Sequence, residues 1–129
     1  SENLPGAFMI YKADKSDDEI FYANKEFLDM AGYENLDALF KGTNKSFRNL
    51  IREDQQESVE ASIWHQIESG SEDDYIHYHL RKADGTYILV LDQGRIVESD
   101  RLGRVFYVLF MDWQGMQEHY GTKFEKKDA

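Results

Sequence analysis

The stretch Asn24-Lys-Glu-Phe-Leu-Asp-Met-Ala-Gly-Tyr33 encodes a whole short helix, with its start and its stop. An Asn side chain accepts the free N–H groups of a first helical turn, so Asn24 marks the start. Gly32 suits the left-handed residue that closes a helix. Between them Phe27, Met30 and Ala31 share one apolar face. The same grammar repeats downstream. Asn35 caps a second helix with Leu36, Leu39 and Phe40 on one face and Gly42 as its stop, and Ser46 starts a third turn carrying Phe47, Leu50 and Ile51. Asp54 followed by Glu57 reads as a capping box for a longer helix ending near Gly70. Its stripe is Val59, Ile63 and Ile67 at i, i+4 spacing. Upstream, Ala7–Lys12 and Glu19–Tyr22 read as short strands around the acidic turn Asp14–Asp18.

After Gly70 the period changes from helical to alternating. In Tyr75–Arg81, Ile76, Tyr78 and Leu80 share one face and Tyr75, His77, His79 and Arg81 the other. Thr86–Val97 and Arg104–Trp113 are long strands separated by Ser99–Gly103. The register of the first pair rests on Lys82-Ala-Asp-Gly-Thr86. A two-residue Asp-Gly turn pairs Leu80 with Leu89. A three-residue loop with Gly85 left-handed pairs Leu80 with Ile88, and glycine is the residue suited to that positive φ. On the second register Ile76, Tyr78 and Leu80, then Ile88, Val90 and Asp92, point inward; a one-residue slip reverses the second set. The element order β-β-α-α-α-α-β-β-β predicts an α+β fold, a five-stranded antiparallel sheet with short helices packed on one face.

Four motifs in fixed order carry a family resemblance: the Asn24–Tyr33 block, Arg52-Glu-Asp-Gln-Gln56, Lys82-Ala-Asp-Gly-Thr86, and the apolar run Val105–Met111 closing on Asp112. Together they resemble a PAS domain over roughly Leu4 to Trp113. The resemblance implies a sensory module, residues 1–113, followed by an output linker over 114–129. It implies a bacterial-type signalling protein in which such domains precede histidine kinases, diguanylate cyclases and phosphodiesterases, or transcription regulators. Many PAS domains end the last strand in Asp-x-Thr, which couples the core to the output helix. Here Asp112-Trp113-Gln114 keeps the aspartate, a candidate for signal relay, and lacks the threonine. Met116, Tyr120 and Phe124 form a weak helical stripe in the linker, interrupted by Gly115 and Gly121.

Composition narrows the function. The 129 residues fit one domain. A 41% hydrophobic and 14% aromatic content excludes a disordered chain. With no cysteine there is no thiolate metal site, no cysteine nucleophile and no cysteinyl-flavin chemistry. A net charge of −10 argues against a nucleic-acid partner. No apolar run reaches bilayer length and no signal peptide is visible, so a cytoplasmic location is expected, with a parent protein that is either free or membrane-anchored.

A ligand pocket is expected between Phe27, Ile51, Ile63 and the sheet, with Met9, Tyr11, Tyr78, Val90 and Phe110 as walls. Asp92 would be its polar contact, near Tyr78 or Tyr11, since a lone inward carboxylate is costly unless partnered. The plainer reading puts Asp92 near a strand end, bonded to backbone or water. Haem is disfavoured: His65 lies about 200° around the helix from Ile63. His77 and His79 share a strand face that reads as outward, with no acidic partner fixed by spacing, so no metal is expected. Trp64 reads as core flank. No nucleophile–base pair or phosphate-binding loop occurs, so the chain is read as non-enzymatic, with a small α+β enzyme using Asp92 with Tyr78 or a histidine as the remote alternative.

The last two strands are apolar on both faces. Tyr87, Leu89, Leu91, Tyr107, Leu109 and Met111 then form an outward patch that a monomer rarely leaves in water. A homodimer is expected to cover it, or else flanking sequence. The eight Phe and eight Tyr also support a ligand-free interaction module whose core is filled with side chains.

Overall fold

The computed structural model describes residues 6–118. Strands β1 (Ala7–Lys12) and β2 (Ile20–Ala23) precede helices α1 (Lys25–Ala31) and α2 (Leu36–Thr43). Single 3-10 turns at Phe47–Leu50 and Glu53–Gln55 lead into α3 (Gln56–Glu68). Strands β3 (Asp73–Arg81), β4 (Tyr87–Ser99) and β5 (Gly103–Asp112) complete a five-stranded antiparallel sheet ordered β2-β1-β5-β4-β3. The helical segment therefore connects the two edges of the sheet, β2 and β3, and crosses one face on the way. The α+β expectation is met. No helix among the described residues is long and apolar enough to cross a membrane.

Local chemistry explains the path. The Asn24 carboxamide accepts the Phe27 N–H at 3.0 Å and so caps α1. The same oxygen accepts the Phe8 N–H at 2.9 Å, and its amide donates to the Gly6 carbonyl. One buried side chain thus fastens the helix start to β1. Gly32 closes α1 at φ +80°, and the Asn35 side chain caps α2 through the Ala38 N–H. The β3–β4 turn takes the three-residue form: Gly85 has φ +86° and Leu80 pairs with Ile88. Its Ala83 N–H donates to the Ala31 carbonyl, docking the turn on the end of α1.

Several boundaries differ from expectation. Gly42 does not stop α2, which runs to Thr43 and ends on left-handed Asn44. Gly42 instead lets Tyr33 pack closely, since a Cβ there would lie 2.7 Å from the Tyr33 ring. The Asp54–Glu57 capping box does not form. Arg52, two residues upstream, offers a charged partner, and Asp54 takes it at 2.7 Å; α3 starts at Gln56 without a side-chain cap. Gln55 reaches across to β3 and accepts the His79 N–H at 2.8 Å. The third turn is a 3-10 helix, and Ser46 does not cap it: its hydroxyl donates to Asp18, whose carboxylate accepts the Arg48 N–H. Strand β3 begins at Asp73, two residues before the expected Tyr75.

Candidate functional site

The inward sheet face carries Met9 and Tyr11 from β1, Phe106, Val108 and Phe110 from β5, Val90 and Asp92 from β4, and Tyr78 and Leu80 from β3, all buried. Phe27, Leu39, Leu50, Ile51, Val59 and Ile63 close over it from the helical side. All nine residues expected around a pocket therefore sit in one core. They fill it with one another. Tyr11 stacks flat on Phe47 at 4.1 Å, Phe27 meets Phe110 at 4.9 Å, and Trp64 stands edge-on to Phe106 at 5.4 Å. The void among Tyr11, Phe47, Ile63 and Trp64 measures about 10 Å³, about the space of one water.

Within this apolar packing lies a polar cluster. Asp92 is 1% exposed, and the strand continues past it to Ser99, so it is not a strand-end group. The Tyr78 hydroxyl donates to its Oδ2 at 2.6 Å. Burial raises the Asp92 pKa well above the usual carboxylate value, the charge of Asp74 raises it further, and the Tyr78 bond offsets part. Burial and then the Asp92 charge push the Tyr78 hydroxyl up, and the same two causes act on Tyr11.

Asp74 is the residue the sequence reading missed. It is 1% exposed, and among the described residues no well-formed hydrogen bond reaches either carboxyl oxygen, the Gly94 backbone N–H alone coming near. It faces Gly94 across the β3–β4 ladder, while Ile76 faces Asp92, so the two carboxyls are diagonal neighbours on the inner face. Gly94 makes the room: a Cβ there would lie 2.8 Å from Asp74 Oδ2. Burial first and the charge of Asp73 second raise Asp74 to about 7, with the Gly94 backbone N–H offsetting part. The signal for it was the alternation Leu80, Tyr78, Ile76 carried one step further back.

Other expected residues are accounted for. His77 and His65 are exposed, and His79 lies 3.3 Å from the Gln55 amide. Among the described residues no three His, Asp or Glu side chains form a metal-binding group. Asp112 is exposed and accepts the Gly115 N–H at 2.7 Å, capping the helical residues 113–118. Tyr120, Phe124 and Leu4 lie outside the described residues.

The opposite sheet face carries Leu89, Leu91, Tyr107, Leu109 and Met111, with Tyr87 at one end under the Arg52 guanidinium. Tyr107, Leu109 and Met111 are 37%, 38% and 45% exposed. Phe8 joins this face and meets Tyr107 edge-on at 5.4 Å. A shallow groove of about 180 Å³ runs among Phe8, Gly94, Tyr107 and Leu109.

Comparison with known proteins matches this arrangement. The profile of the PAS fold family matches residues 20–110, and no curated protein sequence matches. Among solved structures, a PAS domain from a two-component sensor histidine kinase is 15% identical, with 85% of this chain and 86% of that one covered and a TM-score of 0.61. The N-terminal domain of a diguanylate cyclase with a PAS/PAC sensor from Marinobacter aquaeolei is 18% identical, covering 82% and 93%, with a TM-score of 0.59. A PAS domain of an HTR-like protein from Haloarcula marismortui is 19% identical, covering 86% and 84%, with a TM-score of 0.63. At these identities the likeness is one of fold.

Proposed function

We propose that this chain, which belongs to the PAS fold family, is the sensory module of a larger signal-transduction protein. In this reading it holds a small ligand in its core, pairs with a second copy through the outer sheet face, and relays the change along the helix capped by Asp112 to an effector. Effectors of the histidine kinase or diguanylate cyclase type fit, since structural neighbours come from such proteins. The observation that carries the reading is the buried cluster of Asp74, Asp92 and Tyr78. Burying polar groups costs stability unless they are bonded, and one carboxyl here has no well-formed hydrogen bond among the described residues. A few convergent polar groups in an apolar surround are the usual form of a ligand site.

Ligand entry requires the packed rings to move apart, so binding would select a minor, open state of the domain. Native mass spectrometry beside the denatured mass tests this. Extra small-molecule mass on the native species supports the ligand sensor. A bare native dimer, unchanged after exposure to cell extracts, supports a second reading favoured by the Tyr11–Phe47 stack: a ligand-free dimerisation module with a filled core.

A further inference from the structure

The ligand reading leaves open what the unpartnered Asp74 does when the core is closed. Four features of its surroundings answer together. It is buried, with no well-formed hydrogen bond to either oxygen and only the Gly94 N–H nearby. Its only fit inside depends on the missing side chain of Gly94. Its diagonal neighbour is a second buried carboxyl, Asp92. And the aliphatic stripe of α3 packed on the sheet, Val59, Ile63 and Ile67, carries no side-chain donor.

The remaining charged and titratable groups around it are unevenly placed. Asp73 precedes it, Tyr78 and Tyr11 share the inner face, and all of these disfavour or fail to neutralise a carboxylate. Positive charge stands outside. A groove of about 390 Å³ between the end of α3 and the sheet is lined by Gly70, Ser71, Glu72, Arg95, Ile96 and Arg104. Asp74 lies two residues beyond Glu72, and Arg95 follows Gly94 directly. Arg104 holds Glu98 only loosely, at 3.6 Å.

We propose that Asp74 is a proton-binding switch: protonated, it lies buried against Gly94, and deprotonated, it leaves the core for the groove lined by Arg95 and Arg104, carrying the α3–β3 connection with it. A proton is the one ligand that fits the closed core, because it needs no cavity and converts an acceptor-only carboxylate into a neutral acid. Losing the proton leaves a desolvated charge against Gly94 and next to Asp73, so ionising Asp74 strains the closed form, and that charge in turn holds the proton on Asp92. Gly70, left-handed at φ +94°, stands at the connection that must move. The switch does not require the small ligand, and its test is independent of mass.

The test is a carbon-13 titration of the aspartate side-chain carboxyls by NMR, assigned through their Cβ atoms, from about pH 5 to about pH 9, well above the usual carboxylate range. The expected result is that the Asp74 carboxyl titrates near 7 and that amide signals of residues 69–74 and Gly94 move with the same midpoint. Asp92→Asn should leave that midpoint nearly in place, because burial and then the Asp74 charge hold Asp92 protonated while Asp74 titrates. An Asp74 carboxyl already ionised at pH 5 would overturn the proposal. So would an Asp74 titration that leaves the amides of 69–72 still, or a midpoint that shifts when methylammonium chloride replaces sodium chloride at equal ionic strength, which would make the occupant an organic cation. The wild-type measurement decides the first two points even if a variant fails to fold.

Discussion

Asp74→Asn should remove a pH dependence of stability that the wild-type chain carries. In the folded chain Asp74 sits at about 7 rather than 3.8, a rise of about three units, or about 4 kcal/mol at about 1.4 kcal/mol per unit. The sign follows from which state holds the proton. Below about pH 4 the carboxyl is protonated folded and unfolded, and its contribution is fully present. As pH rises the unfolded chain releases its proton while the folded chain keeps it, so stability falls across the window, and the loss is complete just above 7. Movement of the carboxylate toward the groove relieves some of the strain, which puts the expected loss at about 2 to 4 kcal/mol. Asp92 is coupled to Asp74, so the quantity belongs to the pair rather than to one residue. Asparagine keeps the shape and cannot titrate. Urea unfolding followed by tryptophan fluorescence, at pH values from about 4.5 to about 8.5, gives the two stability curves. Their difference should change in the variant's favour by those few kcal/mol as pH rises, and then level off. Groups with lowered values, such as Asp14 and Asp84, cancel because both proteins carry them. A difference curve flat to within about 0.5 kcal/mol, or one sloping the other way, would refute the reasoning.

Three further outcomes are expected. Tyr78→Phe strips from Asp92 the only bonded donor among the described residues and should cost about 1 to 3 kcal/mol at neutral pH; an unmoved urea midpoint would mean that Asp92 finds another donor. Asn24→Ala should cost about 1 kcal/mol for the lost cap and about 1 to 3 more for the orphaned Phe8 N–H. Its thermal melt should therefore fall further than that of Asn35→Ala, whose cap is exposed and single. Leu109→Lys, in the middle of the outer face, should convert the dimer proposed above to a monomer by light scattering at micromolar concentration while changing the unfolding midpoint little. A dimer mass that survives it places the interface elsewhere.

What the sequence made legible was local. Asn24, Phe27 and Gly32 specify their helix through spacing and cap chemistry within nine residues. The β3–β4 register could be read because the three-residue loop needs positive φ at Gly85 alone, whereas the two-residue Asp-Gly turn needs it at Asp84 as well. The outer face could be read because β4 and β5 are apolar on both sides. The misreadings came from competition that spacing does not encode. Asp54 had a helix start to cap and an arginine to pair with, and the arginine won. Gly42 stood where a stop was due, yet its small size serves Tyr33 from another part of the chain.

Asp74 shows the limit most clearly. Following Glu72 and Asp73, it reads as the acidic end of a loop, where a carboxylate costs nothing. Its inward position becomes possible only because Gly94, twenty residues away in sequence, leaves a side-chain volume empty across the ladder. An apolar residue at 74 would fill that space at no desolvation cost, and replacing buried charged groups by well-packed apolar ones is often stabilising. The core therefore gives up stability at one diagonal of one strand pair, while everything around that diagonal is packed ring against ring. A domain built this way responds where it is least satisfied. Under the proton-switch proposal the point of response is the β3–β4 end of the sheet, beside the α3 connection.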